Sequence, residues 1–215
     1  ATAPATFQRL MYTVLEGMLF KGVVVYLDDI LVYGKSQKDH DELLREIFRR
    51  IQVAGLKINP EKCKLNKTEL CFLGHTINEK GIQTNRKKVE EIEKAEVPKC
   101  SKQLRSFLGL TNYYRRFIKD YAKIAEPLYA ATSGCDKDIN WTKECNESFQ
   151  TLKRRLCEAP ILDFPREDRT FILDTDVIFR AIGAVLSQIT EDGEESVKAY
   201  GSRHMSSHEK KYCVT

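Results

Sequence analysis

The chain has 215 residues, 42% hydrophobic and 31% charged, with a formal net charge of +4. That excludes a membrane-spanning or low-complexity chain: no apolar run is long enough to cross a bilayer, and no repeat appears. No charged-then-apolar leader precedes the first helix pattern, and a start at Ala1-Thr2-Ala3-Pro4 without an initiator Met reads as a piece of a longer chain.

Charge is uneven along the chain. Residues 85–133 hold eleven Lys/Arg against six Asp/Glu, a net of +5, whereas residues 163–196 hold three Arg against nine acids, a net of −6. This suits a middle segment that lies on phosphates and a later one that holds cations, although ordinary solvated faces give the same counts. The seven cysteines form no Cys-x-x-Cys pair, are odd in number, and read as free thiols of a reducing compartment. His204 and His208 are four apart, on one face if helical, but no third zinc ligand is near, so both read as surface residues.

In chain order, Phe7, Leu10, Met11, Val14, Leu15 and Met18 recur at helical spacing and predict an amphipathic helix over 4–20, with Pro4 in its first turn. Lys21-Gly22 ends it before "VVVYLDDILVYG" (23–34), two β-branched and aromatic runs flanking Asp28-Asp29. Leu43, Leu44, Ile47, Phe48 and Ile51 mark a second helix over 38–54, capped by Ser36 or Asp39 and closed by Gly55. Residues 56–60 predict a short strand, and "ELCFLGHTI" (69–77) a single longer one before a turn at Lys80-Gly81. Helices are expected over 86–96, from Ser101 to about Tyr121, and from Glu144 to about Cys157. Strand character returns over 170–188. The fold class is α+β: helices on an antiparallel sheet, a helical middle, then a second α/β unit.

Why two adjacent carboxylates interrupt an apolar strand pair is the central question. Asp tolerates turns, so a tight hairpin is one answer. Two-residue hairpins prefer Asn-Gly or Asp-Gly, however, and neighbouring like charges repel, so a cation held on stiff strands is the other.

Six segments bear on that choice. "APATFQRLM", "YLDDILVYG", "GLKINPEKCKL", "FLGHTI", "LRSFLGLTNYYRRFI" and "INWTKECNESFQTLKRRLCEAPIL" resemble, in order and spacing, the reverse transcriptase of gypsy-type LTR retrotransposons and, more distantly, that of retroviruses. The resemblance covers essentially the whole chain. It implies the C-terminal half of a polymerase palm over 1–84, a helical thumb over 85–135, a connection over 136–160 and the start of an RNase H-like domain over 161–215.

By position, the resemblance makes Asp28 a direct metal ligand and Asp29 a more peripheral one, with Mg2+ or Mn2+ as the cofactor of two-metal nucleotidyl transfer. Tyr26 and Leu27, with Phe7 and Gln8, would belong to the nucleotide and template pocket, although Phe7 reads equally as plain helix packing. Phe72-Leu73-Gly74 matches the primer grip, where Gly74 lets the backbone approach the primer strand. Lys62 or Lys64 falls near a lysine-bearing loop and would act as general acid toward pyrophosphate, or be a solvated turn residue. Arg105, Tyr113, Tyr114, Arg115, Arg116 and Lys119 would contact a duplex backbone; Leu104, Phe107, Leu108, Leu110, Tyr114 and Phe117 also read as the core of the same helix. Trp141, Phe149, Leu152 and Leu156 belong to a connecting helix without chemistry.

"FILDTDVIFRAIGAVLSQ" resembles the start of the RNase H domain, and counting seven back from Gly183 makes Asp176, rather than Asp174, the first nuclease carboxylate and metal ligand. Val177-Ile178 departs from the Ala-Ser of the pattern, and Glu209 would be structural. The third polymerase aspartate is expected before Ala1 and the second nuclease carboxylate after Thr215, so the chain alone is expected to be inactive.

The implied function is that of an RNA-directed DNA polymerase with attached RNase H, inside a longer polyprotein. Its partners would be an RNA template, a DNA primer, the RNA–DNA hybrid, deoxynucleoside triphosphates and the remainder of the Pol polyprotein, not a membrane. Its place would be intracellular, in a cytoplasmic virus-like particle or the nucleus, and not secreted. Two alternatives stand beside it: a non-catalytic nucleic-acid-binding module, and a repurposed remnant acting through protein contacts.

Overall fold

A computed structural model describes residues 3–132, 139–178, 181–206 and 208–209. The chain divides into two compact units, Ala1–Asn66 and Lys67–Thr215. Cys63, Cys71, Cys100, Cys145 and Cys157 are free thiols, as expected; Cys135 and Cys213 lie outside the described residues.

The first unit packs two helices on a hairpin. Helix α1 (Ala3–Val14) precedes β1 (Val23–Tyr26), β2 (Asp29–Val32) and α2 (Gln37–Val53). Helix α1 stops short of the expected residue 20, because Gly17 and Phe20 turn the chain at φ 81 and φ 62. Leu15 and Met18 still reach the core from these turns, which is why their spacing mimics a helix. They join Met11, Val23, Val25, Ile47 and Ile51 in one buried cluster. Each such side chain contributes roughly 1.5–3 kcal/mol through burial. Along β1 the alternation is strict: Val23 and Val25 are buried, while Val24 is half-buried and Tyr26 exposed.

Ser36 is the cap of α2, its Oγ accepting the Asp39 N–H at 3.2 Å, and Gly55 follows at φ 68. The strand expected over 56–60 does not form. The Asn59 side chain accepts from the Glu61 N–H at 3.0 Å and starts a 3-10 turn over Pro60–Lys62, where Pro60 has no N–H for a ladder.

The second unit begins with a meander of β3 (Glu69–Phe72), β4 (His75–Asn78) and β5 (Gly81–Thr84). The single strand expected over 69–77 is therefore a hairpin. Phe72 pairs with His75, and Leu73 and Gly74 both take positive φ, 46 and 70, as a type I′ turn requires. Only the glycine signals this in the sequence, since leucine rarely enters that region. Gly81, at φ 135, is needed for a close approach: a Cβ there would collide with the Leu162 carbonyl. Ile82 and Leu162 exchange backbone hydrogen bonds of 2.8 and 2.9 Å across that contact.

Four helices follow: α3 (Arg86–Glu93), α4 (Ser101–Tyr113), α5 (Tyr121–Ala131) and α6 (Lys143–Cys157). The helix expected from Ser101 to Tyr121 ends at Tyr113. A 3-10 turn over Arg115–Phe117 and Asp120, at φ 60, separate it from α5, an additional helix that contains Pro127. Leu104, Phe107, Leu108, Tyr114 and Phe117 share one core with Phe149, Leu152, Leu156 and Leu162. An antiparallel sheet of β6 (Phe171–Ile178), β7 (Ala181–Ile189) and β8 (Glu195–His204) completes the unit. The Ala122 N–H donates to Ser202 Oγ at 2.9 Å and ties the start of α5 to β8. His204 ends a strand and His208 lies beyond it, so the two share no helix face.

Candidate functional site

The carboxylate hairpin answers the turn question in an unexpected way. Tyr26 pairs with Asp29, so the turn residues are Leu27 and Asp28, and Asp29 opens β2. Of these two, only Leu27 has positive φ, at 53, the pattern of a type II′ turn that ordinarily takes glycine first. A leucine there costs on the order of 1–3 kcal/mol, which the surroundings must offset. Gln8 on α1 supplies the support. Its Nε2 donates to the Val25 carbonyl at 3.2 Å, and its Oε1 accepts the Leu27 N–H. One amide side chain thus grips the hairpin on both sides of Tyr26.

Asp28 and Asp29 are both exposed at the tip so held. Hard carboxylate oxygens suit Mg2+ or Mn2+, and the pair fits such an ion as a partial ligand set. Among the described residues no three His, Cys, Asp or Glu side chains come together. Tyr26 is 51% exposed beside the pair, and Phe7 lies on the exposed side of α1 rather than in the core. Lys62 and Lys64 are both exposed.

The second unit holds the other turn, Leu73–Gly74, by its carbonyls. The Tyr113 hydroxyl donates to the Leu73 carbonyl, and the Tyr114 hydroxyl to the Gly74 carbonyl at 2.6 Å. His75 Nδ1 lies 2.9 Å from the Leu73 carbonyl, so that nitrogen carries the proton and donates. The imidazole sits among Tyr113, Tyr114 and Phe117, with ring centroids 5.2, 5.5 and 5.7 Å away. Burial lowers the His75 pKa, and the nearby Arg116 charge acts in the same direction against the Leu73 bond. Burial likewise pushes the Tyr114 hydroxyl up to about 12.

Tyr114 is 1% exposed and Tyr113 49%, so of the two candidate duplex contacts only Tyr113 has an accessible ring. Arg105, Arg115 and Lys119 are exposed cations, and the Arg116 guanidinium lies 6.0 Å from the Phe117 ring centroid. Sequence reasoning misses the clamping roles of Gln8 and the two tyrosines. Their only signal is a leucine next to a residue that favours turns.

Asp176 pairs with Gly183 and is exposed on β6, with Asp174 two residues away on the same strand face. A small recess beside it is lined by Asp120, Lys123, Gly183 and Ser202. A Cβ on residue 183 would lie 3.0 Å from the Asp120 carboxylate, so glycine leaves room for a second carboxylate that the sequence does not suggest. Val177 is 47% exposed.

Comparison with known proteins gives this arrangement its class. Residues 1–77 match the family of reverse transcriptases (RNA-dependent DNA polymerases), and residues 141–215 match the RNase H-like domain found in reverse transcriptase. The chain belongs to the reverse transcriptase–RNase H region of Pol polyproteins of gypsy-type retrotransposons. It is 41% identical over 186 residues to the retrovirus-related Pol polyprotein from transposon 297 of Drosophila melanogaster, covering 86% of this chain and 18% of that protein. To the corresponding polyprotein from transposon opus of the same organism it is 38% identical, covering 99% and 22%. To the Tf2-3 polyprotein of Schizosaccharomyces pombe it is 32% identical, covering 100% and 16%. The chain thus spans about a fifth of the length of these relatives. Its fold matches a foamy viral protease–reverse transcriptase in complex with double-stranded DNA, with a TM-score of 0.84 at 24% identity over 99% of this chain and 44% of that one. The same viral protein in complex with an RNA/DNA hybrid matches at 0.83, again at 24% identity, over 98% and 28%.

Proposed function

We propose that the chain is the palm, thumb and nuclease-start segment of an RNA-directed DNA polymerase with RNase H, which copies retrotransposon RNA into DNA. The domains are residues 1–84 for the palm, 85–135 for the thumb, 136–160 for the connection and 161–215 for the RNase H-like part. The observation that carries the reading is the Leu27–Asp28 turn, strained, clamped by Gln8 and tipped with two exposed carboxylates. Strain of this kind is kept where a surrounding structure fixes it for use.

Asp28 and Asp29 would hold Mg2+ or Mn2+; when bound, such ions neutralise triphosphate charge and lower the pKa of the primer 3′-hydroxyl. Gln8 keeps the carboxylates in position, and Tyr26 and Leu27 meet the incoming nucleotide and the template–primer end. Leu73 and Gly74 seat the primer strand, and Lys62 or Lys64 passes a proton to the leaving pyrophosphate. Arg105, Arg115, Arg116 and Lys119 neutralise duplex phosphates. Asp176 serves hybrid cleavage. The partners are an RNA template, a DNA primer, their hybrid, deoxynucleoside triphosphates and the rest of the Pol polyprotein, within a cytoplasmic particle or the nucleus. No described helix is long and apolar enough to cross a membrane.

The test is primer extension on an RNA template by the Pol protein that contains this chain. Asp28→Asn is expected to lower it at least ~100-fold, as removal of a metal ligand should. Extension at the parent rate would overturn the reading. A non-catalytic duplex-binding role is favoured by one observation, the exposed cations Arg105, Arg115 and Lys119. It predicts that the 215-residue chain binds duplex while showing no extension, and that Asp28→Ala leaves extension in the Pol protein unchanged.

A further inference from the structure

The tyrosines that hold Leu73–Gly74 have a consequence for what that turn offers a ligand. In a type I′ turn the two central carbonyls ordinarily face water. Here the Tyr113 and Tyr114 hydroxyls take both, and the Leu73 carbonyl also accepts from His75 Nδ1. The polar groups left for an approaching strand are then the N–H groups of Leu73 and Gly74. N–H groups attract a phosphate oxygen, whereas free carbonyls repel it. Gly74 is also where Tyr113 packs against backbone: a Cβ at residue 74 would lie 3.3 Å from the ring.

We propose that Tyr113 and Tyr114 are positioning residues for the primer strand: with His75 they lock the carbonyls of Leu73 and Gly74, so that the turn presents its N–H groups to a primer phosphate. The proposal rests on the polymerase reading above. It reassigns the tyrosines from direct contact to support, and it makes a contact of the second unit depend on the end of α4 rather than on cations. The clamp removes a choice of turn geometry before the nucleic acid arrives, so less ordering remains to be done on binding.

The test uses the 215-residue chain and a fluorescent primer–template duplex, with anisotropy read at several salt concentrations and amide hydrogen exchange read at Leu73 and Gly74. The parent chain is expected to bind and to slow exchange at both amides. Tyr113→Phe with Tyr114→Phe should raise Kd roughly three- to tenfold, the loss expected for one hydrogen bond. Protection at the turn should vanish while the salt dependence stays unchanged. Lys119→Ala should instead reduce the salt slope by about one, because it removes a cation. Tyr113→Phe alone alters only an exposed residue and should by itself weaken the duplex-induced protection at Gly74, whose N–H shares a peptide with the Leu73 carbonyl. Unchanged protection there, or parent affinity and protection in the double variant, overturns the proposal and leaves the polymerase reading intact. A parent chain that binds no duplex at all overturns the proposal, while the polymerase reading is decided by extension in the Pol protein.

Discussion

Two hairpin turns, one in each unit, share a leucine at positive φ and differ in everything that follows it. At Leu27–Asp28 the clamp is an amide that takes the turn's own N–H and a strand carbonyl, leaving two carboxylates exposed. At Leu73–Gly74 the clamp is a pair of hydroxyls that take both carbonyls, leaving N–H groups. One turn therefore presents negative charge and suits cations; the other presents donors and suits phosphate. The same backbone device is given opposite electrostatic character by which half of the peptide the neighbouring side chains satisfy.

That contrast can be attacked at either turn. The largest effect on stability is expected from Gly74→Val, which forces a β-branched residue to φ 70 and a Cβ against the Tyr113 ring. Strain and contact together should cost about 2 kcal/mol, read as a drop in the unfolding midpoint. Gln8→Ala comes next. Loss of two partly buried hydrogen bonds should cost ~1–2 kcal/mol, and exchange at the Leu27 amide should rise. Leu27→Gly should be the quietest, within ~0.5 kcal/mol of the parent, because relieved strain is offset by glycine's greater backbone entropy.

The phosphate turn should also answer to pH. His75 is held neutral mainly by burial, so its folded pKa lies below the ordinary value near 6.5. The unfolded chain then binds more protons as pH falls through that range. Stability is complete above about 6.5 and is lost toward the lower folded pKa. Tyr114, pushed up to about 12, has the mirror behaviour: stability present below about 10 is lost as pH rises toward 12. Urea midpoints between pH 5 and 8 check the first, with His75→Phe expected to flatten the curve. Midpoints between pH 9 and 12 with Tyr114→Phe check the second.

Much of this is legible in the amino-acid sequence. Strand runs on both sides of Asp28-Asp29, the helix expected over 38–54 and found over Gln37–Val53 with Ser36, of the two candidates, as its cap, and the helical character of the middle follow from periodicity and capping chemistry. Where the reading fails, the reasons are physical. Leu73 gives no sign of a positive φ, so one strand is expected where a hairpin stands. Asp120 in the left-handed region and Pro127 inside α5 hide a helix boundary and a helix. The site residues are recognisable as types but not as roles. A clamp between Gln8 and a hairpin some seventeen residues on is a tertiary fact with no local pattern.

The most direct measurement is a backbone-amide NMR titration of the chain with Mn2+. Weak binding suffices, because a paramagnetic ion broadens only nearby amides. The carboxylate turn should lose signal first, over Leu27 to Ile30, and Asp28→Asn with Asp29→Asn should remove the broadening. Broadening spread over the acidic stretch 191–195 with none at Leu27 to Ile30, or strongest at Leu73 and Gly74, would contradict the division of labour between the two turns.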